Sequence, residues 1–220
     1  QLVDVNSLSH ERVREIGAEW LCHQAVEQLG LEHCLQSLGW ERKWIERALI
    51  YLIARSVYPA SDRETAQWLQ QNSGVGELYH LPPGKVTRYH LYEVSKRLYK
   101  QKTEIESYLR RRTGELFSLE DQIWIYDLTN TYFEGEKEGS EKAHYGRSKE
   151  KRSDAKLLSL ALVVDRYGFV KYSRIYEGNI RDSKTLKKTI EDLRGEENNK
   201  VGKQVIVMDA GIATEDNCVW

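Results

Sequence analysis

The chain has 220 residues, 40% hydrophobic and 30% charged, with a formal net charge of −1; this allows one large domain or two small ones, and confines any nucleic-acid contact to local basic patches. Three cysteines far apart (Cys22, Cys34, Cys218) exclude a disulfide framework, and six scattered histidines without ligand spacing argue against a zinc site. No apolar run approaches the roughly 20 residues of a membrane span and no signal peptide is visible, so a cytoplasmic protein is expected. The chain lacks an initiator Met and stops at Trp220, which suggests cut termini.

Residues from about Ser9 to Phe117 read as helical. Val13, Ile16, Trp20, Leu21 and Ala25 fall at helical spacing, with Ser9 as N-cap and Gly30 as stop. A short helix carries Leu31, Cys34, Leu35 and Leu38, ending at Gly39. Trp44, Ile45, Ala48, Leu49, Leu52 and Ile53 form a strongly apolar third helix that ends before Pro59. Ser61-Asp62-Arg63-Glu64 is a capping-box pattern opening a fourth. Asn72–Gly76 and Pro82-Pro83-Gly84 read as loops. Thr87 caps a helix with Leu91, Val94 and Leu98, and after a break near Gln101 the stripe continues through Ile105, Leu109 and Leu116.

Near Leu119 the apolar period shifts toward two. Ile123–Phe133 is rich in β-branched and aromatic residues and reads as a half-buried to buried strand. Leu157–Asp165 and Phe169–Tyr176 follow as strands, joined by Arg166-Tyr167-Gly168, where the glycine supplies the freedom of a tight hairpin. A helix over Ser183–Leu193 precedes a last strand, Val205–Asp209. The order strand, strand, strand, helix, strand predicts an α+β chain with an antiparallel meander first, unlike a doubly wound sheet.

Two strands each deliver one acid: Asp127 inside the first, and Asp209 at the end of the last, followed by Ala210-Gly211. Either could be an ordinary exposed acid. Together they suit a divalent-metal phosphoryl-transfer site, because hard cations take carboxylate oxygen. A rival enzyme class is a haloacid-dehalogenase-like phosphotransferase, with Asp127 as nucleophile and Thr131 four residues on; antiparallel strands after Asp127 argue against it. Between the first two strands, Lys142–Arg152 holds five Lys or Arg residues. It reads as a mobile, exposed loop or as a phosphate-backbone contact. Arg110-Arg111-Arg112, with Lys96, Arg97, Lys100 and Lys102, reads as a helix surface that could track DNA. Asn179, after Gly178, reads as a turn that could reach the metal edge.

Tyr126–Gly135, the Gly146–Arg152 loop, Glu177-Gly178-Asn179 and Met208–Asn217 together resemble an insertion-sequence transposase of the IS4 superfamily, IS1634 type. The resemblance runs from about Tyr126 to the end, with a similar layout in the helical half. It implies a helical DNA-binding and dimerisation region over 1–118 and a partial RNase H-like catalytic domain over 119–220. It further implies a DDE triad holding two Mg²⁺ or Mn²⁺ ions, with Asp127 as first acid and Asp209 as second. The third, a Glu in a Tyr-Arg-Glu-Lys helix, has no counterpart before Trp220; Glu215 belongs to the second motif. The activity implied is metal-dependent cleavage and strand transfer on double-stranded DNA, by a homodimer at the element's terminal inverted repeats, associated with the nucleoid. Lys142, Arg147, Lys149, Lys151, Arg152 and Asn179 are the candidate DNA contacts. The alternative is an inert DNA-binding or dimer-poisoning fragment, and the chain alone is expected not to cut DNA.

Overall fold

The structure is a computed structural model that describes residues 11, 13–119, 123–135, 137–146, 153–196 and 205–219. Its contacts divide the chain into two units, residues 1–105 and 106–220.

The first unit is helical. Helix α1 spans Gly17–Leu29 and ends on Gly30 in the left-handed region, φ 66°, where glycine avoids the Cβ penalty. The expectation of a helix starting at Ser9 is not met: Ser9 lies outside the described residues, and Val13 precedes the helix and is exposed. The reason is a competing backbone pairing. Glu15 N–H donates to Asn72 O at 2.8 Å, and Gly74 N–H donates to Glu15 O at 2.7 Å. Arg14 fastens the same crossing by donating to Gln70 O at 2.7 Å.

Helix α2 (Leu31–Ser37) leads to α3 (Arg42–Val57), whose Ile45, Ala48, Leu49, Ile50, Ile53 and Ala54 are all buried. At roughly 1.5–3 kcal/mol per large apolar side chain, this stripe dominates the stability of the unit. Helix α4 (Asp62–Gln71) opens with the expected Ser61–Glu64 capping box. Within the expected Asn72–Gly76 loop a one-turn helix begins, α5 (Val75–Leu78). Ser73 starts it by accepting from Val75 N–H at 3.2 Å, while its hydroxyl donates to the buried Glu19 carboxylate at 2.7 Å. Helix α6 (Arg88–Lys100) is capped by Thr87 together with His90, whose Nδ1 accepts from Thr87 N–H at 3.2 Å. After Gln101 comes α7 (Lys102–Phe117).

The second unit takes in most of α7, which meets the sheet through Glu106, the acceptor of Ser173 Oγ at 2.5 Å, and through Phe117, whose ring lies tilted 5.0 Å from that of Phe169. The change of periodicity put the boundary at 118, after this helix. The sheet has four strands in the order β3-β2-β1-β4. β1 (Ile123–Tyr132), β2 (Leu157–Asp165) and β3 (Val170–Glu177) are antiparallel neighbours, and β4 (Val205–Met208) runs parallel to β1. A parallel return needs a crossover, supplied by a 3-10 turn over Asp182–Lys184 and helix α8 (Leu186–Glu196). Leu186, Ile190 and Leu193, at helical spacing, close over Trp124, Tyr126, Leu128, Ala161 and Val163 on one sheet face. A last short helix is α9 (Glu215–Val219).

The β2–β3 hairpin turns on Gly168, φ 89°. Asp165, fully buried, accepts from Tyr167 and Phe169 N–H at 2.9 and 3.0 Å, and its other oxygen lies 3.6 Å from buried Lys171. Lys171 sits at the register shift between Val163 and Val164, a bulge that turns its side chain toward the acid. Nothing in the apolar periodicity marks this buried ion pair.

Candidate active site

β1 alternates strictly: Trp124, Tyr126 and Leu128 are buried, while Ile125, Asp127 and Thr129 are exposed. Asp127 therefore needs no desolvating cage, contrary to a fully buried strand. The parallel register pairs Ile125 with Val207 and Tyr126 with Met208. One step further along both chains stand Asp127 and Asp209. The pairing ends at Tyr126–Met208, and Asp209 lies just past β4. Both acids are exposed, and since directly paired residues of neighbouring strands share a face, one more step of the same register would set them next to each other where β4 stops and β1 continues.

Asp209 is held by the turn that follows it. Its Oδ1 accepts from Gly211 N–H at 2.7 Å, and its backbone carbonyl accepts from Ile212 and Ala213 N–H at 2.9 and 3.2 Å. Ile212 is buried in the core below. Asn217 clamps the turn by donating to Ile212 O at 2.7 Å and to Ser183 O at 2.8 Å. Under the acids, the Tyr126 hydroxyl lies 2.5 Å from Thr185 Oγ1. Burial drives its pKa up to about 12 against the opposing hydrogen bonds of Thr185 and Thr189, so this phenol is a fixed hydrogen-bonding post. Asn217 and Thr185 were missed as site-positioning residues; both stand among polar and charged neighbours (Glu215-Asp216 and Ser183-Lys184), so no pattern in the sequence marks them.

The other candidates lie elsewhere or outside the described residues. Arg147, Lys149, Lys151 and Arg152 fall among the residues not described. Lys142 donates to Ile175 O at 3.1 Å, and its own carbonyl accepts from Gly178 N–H at 3.1 Å. Ala143 is buried, and His144 pairs its backbone with Leu157. Lys142 is exposed, as expected of a mobile, exposed loop, but the expectation is corrected at Ala143, which is buried, and at His144, whose backbone pairs with Leu157 of β2. Asn179 is exposed in the turn after β3. Since β3 lies two strands from β1, the register separates Asn179 from the acid pair.

For a hard divalent ion the donor set fits in kind, with two carboxylates on one face. It falls short in number: among the described residues no third His, Cys, Asp or Glu joins them. The antiparallel β1–β2 pairing is also not the parallel sheet of a haloacid-dehalogenase-like enzyme. Among the described residues no helix is long and apolar enough to cross a membrane.

The fold and strand ends thus define an α+β protein with an acid pair at the edge of a mixed sheet. No protein-family model and no curated protein matches the chain. Two solved structures are loosely similar. A Mos1 transposase paired-end complex with the left transposon end shares 9% identity at a TM-score of 0.31, over 98% of this chain and 59% of that one. The Mos1 strand transfer complex shares 11% identity at a TM-score of 0.29, over 96% of this chain and 57% of that one. The chain thus spans under two thirds of either, and a likeness this loose carries no argument about chemistry.

Proposed function

We propose that the chain is part of a DNA transposase of the insertion-sequence kind, resembling the IS4 superfamily and its IS1634 type, with Asp127 and Asp209 as two of its metal-holding acids. The observation that supports this reading is the β1–β4 register, whose last pair is Tyr126–Met208; Asp127 and Asp209 are the next residue on each chain, and both are exposed. The order of the four motifs and the antiparallel meander before the crossover support it as well. Bound there, Mg²⁺ or Mn²⁺ would polarise a phosphodiester and lower the pKa of an attacking water or hydroxyl. The protein's own part is positional. β1 fixes Asp127, while the Gly211 and Asn217 bonds fix Asp209 and leave its Oδ2 as the oxygen for the ion. The natural substrate would be duplex DNA at terminal inverted repeats, engaged by a homodimer in the cytoplasm and nucleoid.

The second reading, an inert DNA-binding fragment, is favoured by the absence of a third acid beside the pair among the described residues. The deciding assay incubates the whole chain with supercoiled duplex DNA and Mn²⁺. Nicking that Asp127→Ala abolishes supports the enzyme. No nicking, with Mn²⁺ still bound through both acids, supports the fragment. Failure to bind Mn²⁺ at all removes the enzyme, and failure to bind duplex DNA removes the fragment.

A further inference from the structure

We infer that the solvent face of α6, together with Arg47 and Trp44 of α3, is a docking surface for the phosphodiester backbone of DNA. This rests on the DNA reading for the class of partner, and owes nothing to the carboxylate pair.

The first observation is an assembly of cations that no carboxylate binds directly. The Arg97 guanidinium carbon lies 4.3 Å from the Trp44 ring centroid and that of Arg47 lies 5.5 Å from it, with the His90 ring at 6.0 Å. Gathering like charges costs free energy unless an anion offsets it. Among the described residues neither arginine forms an ion pair with a carboxylate. Glu41, the acid that feels Arg97, is bound to Lys43 at 2.7 Å. The Nε atoms of both Arg47 and Arg97 are buried without a hydrogen-bond partner. Arg47 also helps burial to hold the His90 pKa down, as a local positive field would. The indole holds both forks; Arg47 Nη1 donates to Lys43 O at 2.7 Å, which leaves its other terminal nitrogen and those of Arg97 as the donors toward solvent, and guanidinium geometry matches phosphate oxygens.

The second observation is the outward face of the same helix. Leu91 and Val94 are fully buried toward the core, whereas Tyr89, Tyr92 and Tyr99 are 65%, 48% and 59% exposed. Offsets of three and seven residues place these tyrosines on one side, and from first to last they span about 15 Å at 1.5 Å per residue. The helix has four basic residues, Arg88, Lys96, Arg97 and Lys100, against one acid, Glu93, which Lys96 holds at 3.1 Å. In a chain of net charge −1 this is a local excess. Aromatic rings interleaved with cations over such a length fit a nucleic-acid strand better than an acidic peptide, because the rings can meet sugars and bases while the cations meet phosphates.

The test measures anisotropy of a labelled duplex with the whole chain in EDTA, so that no metal is needed, over a series of salt concentrations. Replacing Arg47→Gln and Arg97→Gln should weaken binding by about tenfold at moderate salt and lower the log–log salt slope by about 2, one per lost phosphate contact. Tyr89→Ser, Tyr92→Ser and Tyr99→Ser together touch no core residue; they should weaken binding while leaving the slope and circular dichroism unchanged. The assay contains EDTA, so loss of the metal site leaves it untouched, and a failed metal site and a failed α6 face give different results. Parent-like affinity and slope in both folded α6 variants would overturn the inference. So would competition by polyglutamate as effective as by DNA of equal charge.

Discussion

Replacing Gly178 by alanine should cripple the second unit through one misplaced methyl group. A Cβ at this position would stand 2.1 Å from Leu157 O, 2.4 Å from its carbonyl carbon and 2.8 Å from its Cβ. Two of these atoms are backbone at the start of β2, and Leu157 O is already held by His144 N–H at 3.2 Å. No side chain can swing aside to make room. Overpacking usually costs about 1–3 kcal/mol; with an immovable strand opposite, about 3 kcal/mol is expected. For a domain of this size that lowers Tm by roughly 10–20 °C. Calorimetry of the whole chain reads the shift, and Gly114→Ala is the control. Gly114 lies inside α7, and its added Cβ meets nothing within 4 Å, so that change should be neutral or stabilise by up to about 1 kcal/mol. If Gly178→Ala melts within about 2 °C of the parent, the close crossing of the Glu177-Gly178-Asn179 turn over β2 is wrong.

Asn217→Ala removes the donor that joins Ile212 O to Ser183 O; it should cost about 1–3 kcal/mol in urea unfolding and weaken any divalent ion held by Asp209. Asp192 carries a lowered pKa: burial raises it, but Lys188, Tyr172 and Arg174 outweigh that. Its contribution to stability is therefore present above the ordinary carboxylate value and is lost as pH falls through the lower folded value. The stability gap between parent and Asp192→Asn should accordingly shrink below about pH 4; a gap that widens there contradicts the sign.

Much of this architecture was legible because the chain states it locally. Gly30, the Ser61–Glu64 box, the break at Gln101 and the β2 span Leu157–Asp165 all stand where their residues place them. The antiparallel meander followed from the missing helices between early strands. What escaped was non-local. The pairing of Glu15 with residues 72–74 denied α1 its first turns, and a bulge joined Lys171 to Asp165; neither leaves a mark in periodicity. Asp127 and Asp209 were legible as acids on strands. That they share a face depends on a register that no single strand encodes, and the exposure of Asp127 follows from an alternation that the run of aromatics obscured.

The most direct measurement of the central claim is a Mn²⁺ titration of the whole chain followed by electron paramagnetic resonance, with Asp127→Asn and Asp209→Asn beside the parent. Two carboxylates without a third should hold about one ion, weakly, with several waters retained. Each substitution should remove that ion while the circular dichroism stays unchanged. Parent-like Mn²⁺ binding in both variants would contradict the account, because the ion would then be held somewhere other than Asp127 of β1 and Asp209 after β4.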